Sequence, residues 1–177
     1  MNLAAKSWLS LVLLALIEGV LLFVSAGTVR YWQAWMYLSI VIGASWVITL
    51  DLIRRDPALL ERRMRGGPTA EKRTSQKIIM VFTSIGFIAL LVVPGLDHRF
   101  GWSTVPLGVE ILGDVLVVVG FYFISVVYRT NTFTAATIQV AQGQTVVSTG
   151  PYAIVRHPMY ASALLYLGGT PLALGSW

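Results

Sequence analysis

The residues best suited to chemistry lie close together in the last third of the chain. Gly150-Pro151-Tyr152 has the composition of a turn, and Arg156-His157-Pro158-Met159-Tyr160 follows it after three residues. Pro158 suits the first turn of a helix, because the backbone N–H that proline lacks has no intrahelical acceptor there. The pattern therefore predicts a helix that begins at His157-Pro158, with Arg156 and two tyrosines near its N-terminus.

Together these side chains could hold a ligand that has separate anionic, cationic and aromatic parts. The free N–H groups and the dipole of a helix N-terminus favour a carboxylate. Arg156 and His157 add donors, while the faces of Tyr152 and Tyr160 suit a sulfonium or ammonium centre. S-adenosylmethionine combines these features. Each residue taken alone is more typical of an anchor at a membrane interface, so only the combination favours a ligand site.

The composition excludes other kinds of site. Cysteine is absent, which excludes disulfides, thiolate chemistry and cysteine-ligated metals. His98 and His157 are the only histidines, and we expect no metal site. Only 12% of the 177 residues are charged and 56% are hydrophobic. Because a soluble domain carries roughly 25% charged residues, the chain has too few to cover a surface facing water, and we expect an integral membrane protein.

Five apolar runs approach the roughly 20 residues that a helix needs to cross a bilayer. They are Trp8–Ala26, Trp32–Ile53, Ile78–Leu96, Leu107–Tyr128 and Pro158–Trp177. Lipid offers the backbone no hydrogen-bond partners, so these runs should be helical. The sequence predicts an all-α fold, a polytopic membrane helix bundle of about five transmembrane segments. The first run also resembles a signal peptide, but Glu18 interrupts it and it is longer than a usual signal-peptide core.

The distribution of positive charge predicts an orientation. Eight of the thirteen Lys and Arg residues lie between Arg54 and Lys77, in one loop between two apolar runs. This juxtamembrane position indicates a topology signal and not a nucleic-acid site. We expect the N-terminus, the 54–77 loop and the segment around His157 on the cytosolic face, in the cytoplasmic membrane if the source is bacterial. Within the loop, residues 54–65 fit either a surface helix with Leu59, Leu60 and Met64 facing lipid, or a solvated connector.

Three carboxylates fall inside the apolar runs, where charge is costly. Glu110 and Asp114 are four residues apart and so share one helical face, and Glu18 lies near the middle of the first run. A proton relay, a cation site or a substrate contact would explain them. Polar contacts between helices, or for Glu110 a place near the outer interface, would explain them equally simply.

The segment from Gly150 to Tyr160 resembles the core motif of the isoprenylcysteine carboxyl methyltransferase family and its phospholipid methyltransferase relatives. Asn131-Thr132-Phe133 is similar to the segment that precedes this motif in the family, and the resemblance runs from about Asn131 to Leu174. It implies S-adenosylmethionine bound on the cytosolic side. It also implies a lipophilic or amphiphilic acceptor, either an isoprenylcysteine-type carboxylate or a lipid, that arrives through the bilayer.

The same resemblance assigns roles to individual residues. The implied cofactor-binding residues are Gln144, Thr145, Val146, Val147, Tyr152, His157, Pro158, Met159 and Tyr160. Gln144 stands where eukaryotic members often have His, and Arg156 is a candidate for orienting an acceptor carboxylate. The chain would then divide into two parts. Residues 1–128 form a four-helix transmembrane region with the basic loop, and residues 129–177 form a cofactor-binding segment and the start of a C-terminal helical hairpin.

Members of this family normally continue past the present end of the chain with a return helix that carries an Arg and a Glu-Glu pair. We therefore expect a C-terminally truncated chain, with the last apolar run as one arm of an incomplete hairpin; a natural short form is the alternative. Two other functions share parts of the pattern. A sterol-type membrane reductase uses NADPH with an Arg-His-Pro-x-Tyr element, and a non-enzymatic scaffold could use the basic loop. The acceptor and the oligomeric state stay open.

Overall fold

The computed structural model describes residues 2–64, 74–134 and 146–177, and these residues form helices and no strand. The all-α prediction is therefore confirmed. Within these described ranges, six α-helices follow one another, with a short 3-10 helix, Gly150–Ala153, between the fifth and the sixth. They are α1 (Leu3–Ala26), α2 (Trp32–Arg55), α3 (Pro57–Met64), α4 (Thr74–Phe100), α5 (Leu107–Thr130) and α6 (Pro158–Ala173).

Of the helices in the described part of the chain, four are long and apolar enough to cross a membrane: α1, α2, α4 and α5. Each contains one of the first four predicted apolar runs and extends a few residues beyond it. The fifth run is a helix as well, but α6 has only 16 residues. At about 1.5 Å per residue it is shorter than the bilayer core is thick. The chain is a polytopic helical membrane protein, with α6 as a shorter helix packed against the others.

Small residues set the close packing between α5 and α6. A Cβ atom at Gly113 would overlap the backbone of Ala173, and one at Gly120 would lie 2.8 Å from the backbone nitrogen of Tyr166. Both positions must therefore be glycine for the two helices to approach this closely. Contacts of this kind are common between membrane helices, where backbone proximity and van der Waals packing stabilise association. They fix α6 along α5.

The helix α3 lies at the end of the bundle where α2 ends and α6 begins, which we term the α3 end. A helix here was one of two predicted alternatives, but the prediction that Leu59 and Leu60 face lipid is wrong. Leu59 is 0% exposed and Leu60 is 6% exposed, and they pack with residues of α1, α2 and α5. Met64 also faces protein, since its sulfur accepts a hydrogen bond from Ser7 at 3.2 Å. The apolar face of a helix can pack against either lipid or protein. In this protein the apolar face of α3 packs against the apolar ends of the neighbouring helices.

At the opposite end, polar groups hold the turn that ends α6. The Tyr31 hydroxyl donates to the carbonyl oxygen of Leu174 at 2.5 Å, and the Ser176 hydroxyl donates to the Asp97 carboxylate at 2.5 Å. Burial, together with the negative charges of Asp97 and Glu110, raises the pKa of Tyr31 well above its usual value, so its hydroxyl keeps its proton. The end of α6 is thus tied to the α1–α2 connection and to α4.

The carboxylates within the apolar runs have different surroundings. The side-chain amide of Gln33 donates to Glu110 at 3.0 Å, which is the polar contact between helices that one interpretation predicted. Asp114 and Glu18 each have one buried carboxylate oxygen without a hydrogen-bond partner among the described residues. Glu18 is also 1% exposed, so it faces the interior of the bundle and not lipid.

Candidate functional site

The end of α5 and the 3-10 helix are joined by one asparagine. The Asn131 side-chain oxygen accepts the backbone N–H of Phe133 at 3.0 Å, which closes a local turn after α5. Its side-chain nitrogen donates to the hydroxyl of Tyr152 at 2.9 Å. Asn131 therefore fixes both the direction in which the chain leaves α5 and the position of a tyrosine 21 residues later.

The predicted turn at Gly150-Pro151-Tyr152 is the 3-10 helix. Gly150 begins it with a φ of 59°, a conformation that glycine adopts without strain. The Tyr152 N–H donates to the carbonyl of Thr149 at 3.2 Å, and the Val155 N–H donates to that of Pro151 at 3.1 Å. These hydrogen bonds form a tight turn, and the Tyr152 side chain points back toward Asn131.

The next element, α6, begins at Pro158 with His157 as its N-terminal cap, as the sequence predicts. The carbonyl of His157 accepts the backbone N–H groups of Tyr160 at 3.1 Å and Ala161 at 3.3 Å. The rings of His157 and Tyr160 lie 5.6 Å apart between centroids. The first turn of α6 thus presents an imidazole beside a phenol at the α3 end of the bundle.

A cavity of about 760 Å³ opens beside this turn. Its size lies within the ~300–1,000 Å³ typical of small-molecule sites. Elements from across the chain form its walls: α3, α4, α5, the segment after α5, the 3-10 helix and α6. The lining residues are Arg63, Thr83, Ile124, Tyr128, Thr134, Tyr152, His157, Pro158, Met159, Tyr160, Ala163, Tyr166 and Leu167.

The lining combines aromatic faces with donors. Four of its residues are tyrosines, and none of the described lining residues is Asp or Glu. The guanidinium carbon of Arg63 lies 5.3 Å from the centre of the Tyr128 ring. A hydrogen bond of 3.2 Å between the hydroxyls of Tyr166 and Tyr37, which lies on α2, fixes the position of Tyr166. Such a cavity can accept an aromatic base and a positive centre against the rings, and an anionic group near the arginine.

A second, smaller cavity of about 230 Å³ shares Pro158 with the first. Side chains of α5 and α6 line it, together with residues around the 3-10 helix, and nearly all of them are apolar. The one exception, Ser162, donates its hydroxyl to the Pro158 carbonyl at 2.7 Å, so its polarity is satisfied within the helix. The lining residues are Phe123, Val127, Pro151, Ile154, Val155, Pro158, Ala161, Ser162 and Leu165.

The structure brings together five of the residues that the sequence singled out: Tyr152, His157, Pro158, Met159 and Tyr160 all line the larger cavity. Three others lie apart from it. Arg156 is exposed, Val146 is 95% exposed and Val147 is partly buried, and neither cavity has them in its lining. Gln144 and Thr145 lie outside the described residues.

Sequence reasoning missed the remaining lining residues. Ala163 and Leu167 lie three and seven positions after Tyr160 on the same face of α6, so helical spacing could have found them. Arg63 and Thr83 come from α3 and α4, and no local pattern marks them as neighbours of the motif. Tyr128 and Thr134 flank the end of α5, where only the fold shows which side chains face inward.

Comparison with known protein families gives a match for the C-terminal part of the chain. A family model described as phospholipid methyltransferase matches residues 109–177, from the first turn of α5 to Trp177. No curated protein and no solved structure matches the chain. The matched residues contain the 3-10 helix, α6 and every site residue that the sequence predicted. Residues 109–177 therefore match the phospholipid methyltransferase family, a family of membrane methyltransferases.

Proposed function

We propose that this protein is an S-adenosylmethionine-dependent methyltransferase whose acceptor is a lipophilic or amphiphilic molecule in the membrane. The observation that carries the proposal is the convergence of Tyr152, His157, Pro158, Met159 and Tyr160 on one cavity. These residues follow Tyr128 of the preceding spanning helix by 24 to 32 positions, yet they enclose one space with it. The family match supports methyl transfer in general.

The residues around the cavity fit this cofactor by their chemistry. When bound, S-adenosylmethionine supplies a methyl group on a positively charged sulfur, which becomes a neutral thioether as the methyl group leaves. The faces of Tyr152 and Tyr160 would attract that positive charge. His157 and Arg63 offer donors to the carboxylate and ribose hydroxyls. Binding and orientation, with exclusion of water, would supply most of the catalysis.

The acceptor would meet the cofactor near Pro158, where the two cavities adjoin. The smaller cavity is apolar and lies between α5 and α6, so it suits an acyl or isoprenoid chain and not a polar headgroup. The acceptor's nucleophilic group would then lie toward the larger cavity. In this proposal the cofactor surface extends beyond residues 129–177, because Arg63, Thr83 and Tyr128 also line the cavity. Arg156 keeps only its proposed role in orienting an acceptor carboxylate.

We further propose that the α3 end faces the cytosol, where the cofactor is available. The clustering of Arg and Lys at residues 54–77 supports this orientation. The absence of cysteine from the chain allows a direct test with single-cysteine variants. Lys6→Cys at the α3 end should be protected from a membrane-impermeant maleimide in intact cells, and Arg30→Cys at the opposite end should react. The reverse labelling pattern would contradict the orientation.

Equilibrium binding to the purified chain in detergent tests the function. Tritiated S-adenosylmethionine should bind saturably, S-adenosylhomocysteine should displace it, and NADPH should not. Incubation of membranes that contain the protein with the labelled cofactor should then yield a labelled lipid or lipid-like product, and mass spectrometry would identify the acceptor. Displacement by NADPH would instead favour a reductase, and binding of neither cofactor would favour a scaffold.

A further inference from the structure

The helix α3 lies outside the residues that match the family, yet it contributes to the cavity wall. Arg63, near its C-terminal end, is one of the lining residues. Among the described residues of the lining it is the only Lys or Arg. The basic loop therefore does more than carry positive charge at the membrane surface, because one of its arginines is built into the site.

Contacts along α3 fix the position of the backbone before Arg63. Leu59 and Leu60 are buried against the ends of α1, α2 and α5. The Asp56 carboxylate accepts the N–H of Leu59 at 2.9 Å, which caps the start of α3. At the other end, the Arg62 guanidinium donates to the carbonyl oxygen of Thr132, just after α5. The backbone that carries Arg63 is thus anchored before any ligand enters.

The local environment suits recognition of an anion. The Arg63 guanidinium lies against the Tyr128 ring, 5.3 Å from its centre, so an apolar face covers one side of it. No described lining residue is acidic. A guanidinium held in a partly desolvated site forms strong, often bidentate, hydrogen bonds to carboxylates and phosphates.

We propose that Arg63 recognises the anionic group of a molecule bound in the larger cavity. Two molecules could supply that group: the cofactor, through its carboxylate, or an acceptor lipid, through its phosphate. The cofactor source rests on the proposed function, whereas the phosphate source does not need it. In either case α3 is the part of the site that distinguishes an anionic ligand from a neutral one of the same shape.

Two matched pairs of ligands test this with the full chain in detergent. S-adenosylmethionine is compared with decarboxylated S-adenosylmethionine, which lacks the carboxylate but keeps the sulfonium and the amino group. Dihexanoylphosphatidylglycerol is compared with dihexanoylglycerol, which lacks the phosphate. Arg63→Gln should weaken binding of the carboxylate-bearing or phosphate-bearing member of one pair roughly tenfold or more and leave its counterpart within about twofold. The affected pair identifies which molecule supplies the anion.

Arg54→Gln is the control, because Arg54 is an exposed arginine at the same end that does not line the cavity. It should change neither pair. Thermal unfolding checks that Arg63→Gln is folded. If it is not, Arg63→Lys replaces it. That variant should keep a weaker preference for the carboxylate-bearing or phosphate-bearing ligand, because lysine keeps the positive charge but lacks the planar guanidinium that forms two parallel hydrogen bonds. Equal losses for the two members of a pair, no loss for either, or no binding of either S-adenosylmethionine or the phospholipid by the unaltered protein would overturn the inference. Binding of the phospholipid without S-adenosylmethionine would reject the proposed function and leave this inference standing.

Discussion

The side-chain amide of Asn131 donates a hydrogen bond of 2.9 Å to the hydroxyl of Tyr152, and so ties the end of a membrane-spanning helix to the turn that precedes α6. Asn131 also accepts the N–H of Phe133. Tyr152 lines the larger cavity, while Asn131 does not. We therefore expect Asn131 to be a positioning residue, which acts on a ligand through Tyr152.

Asn131→Ala should lower both stability and cofactor affinity, because it removes the bond to Tyr152 and the local turn together. Tyr152→Phe keeps the aromatic face and loses only the shared bond, so we expect it to cost about 1 kcal/mol of stability. The double variant should cost less than the sum of the two. Thermal unfolding in detergent and S-adenosylmethionine titration would measure these effects. Strictly additive losses would show that the two side chains do not act as a pair.

Tyr160 should contribute to cofactor binding through its ring. It is 69% exposed despite being aromatic, and it stands beside His157 at the cavity. Tyr160→Ala should raise the dissociation constant of S-adenosylmethionine about threefold to thirtyfold, which corresponds to roughly 0.5–2 kcal/mol for a cation against an aromatic face. Binding of S-adenosylhomocysteine, whose sulfur is uncharged, should fall less.

Tyr122→Ala is the matched control, because Tyr122 is a similarly exposed tyrosine on α5 that lines neither cavity. It should leave both affinities unchanged. Equal losses for both ligands with Tyr160→Ala would show that the ring provides packing and not charge recognition.

Much of this fold follows from the sequence because lipid imposes simple requirements. Long apolar runs must be helices, and Pro158 can begin α6 because it needs no N–H there. The actual helices extend past the predicted runs, as α2 does to Arg55, because polar residues at helix ends keep their backbone bonds in the interfacial region. The orientation of Leu59 and Leu60 could not be predicted, since an amphipathic pattern does not distinguish lipid from protein as its partner.

The candidate site, like the fold, could be predicted only in part from the sequence. The motif from Tyr152 to Tyr160 is local, so sequence found its cavity-lining members. Arg63 comes from about 90 residues earlier and reaches the cavity only because α3 folds back under the bundle. Contacts between residues so far apart in the sequence are set by tertiary packing, and no local sequence pattern indicates them.

The contact between α5 and α6 should depend on Gly113. Gly113→Ala places a methyl group on the backbone of Ala173, which cannot move aside without separating the helices. We expect a large loss of folded protein, measured as the monodisperse fraction after detergent extraction. Gly168→Ala is the control on α6, since a Cβ there meets nothing within 4 Å. It should be neutral or slightly stabilising. Normal folding of Gly113→Ala would contradict the close approach of the two helices.

Tyr31 should stabilise the end of α6 in a manner that depends on pH. Tyr31→Phe keeps the stacking on His98 and removes the bond to Leu174, and we expect a cost of about 1–2 kcal/mol. Because burial raises the pKa of Tyr31, the stability it contributes is complete below its ordinary value of about 10 and falls as pH rises above that. The difference in unfolding temperature between the two proteins should therefore be constant from pH 6 to 9 and shrink at higher pH. A difference that grows with pH would contradict this assignment.

Substitution of Glu18 tests whether this buried carboxylate has a functional role. It is 1% exposed, and one of its oxygens has no hydrogen-bond partner among the described residues. If Glu18 has no function, Glu18→Leu should stabilise the protein by about 1–3 kcal/mol, because an unsatisfied buried polar group is removed and an apolar side chain replaces it. Glu110→Leu should do the opposite, since it leaves the amide of Gln33 without its acceptor. Thermal unfolding of both variants, with methyl transfer measured beside it, decides the matter. A stabilised Glu18→Leu protein that still binds cofactor but no longer transfers methyl groups would assign Glu18 to the reaction, where a proton relay is the role that its burial would suit.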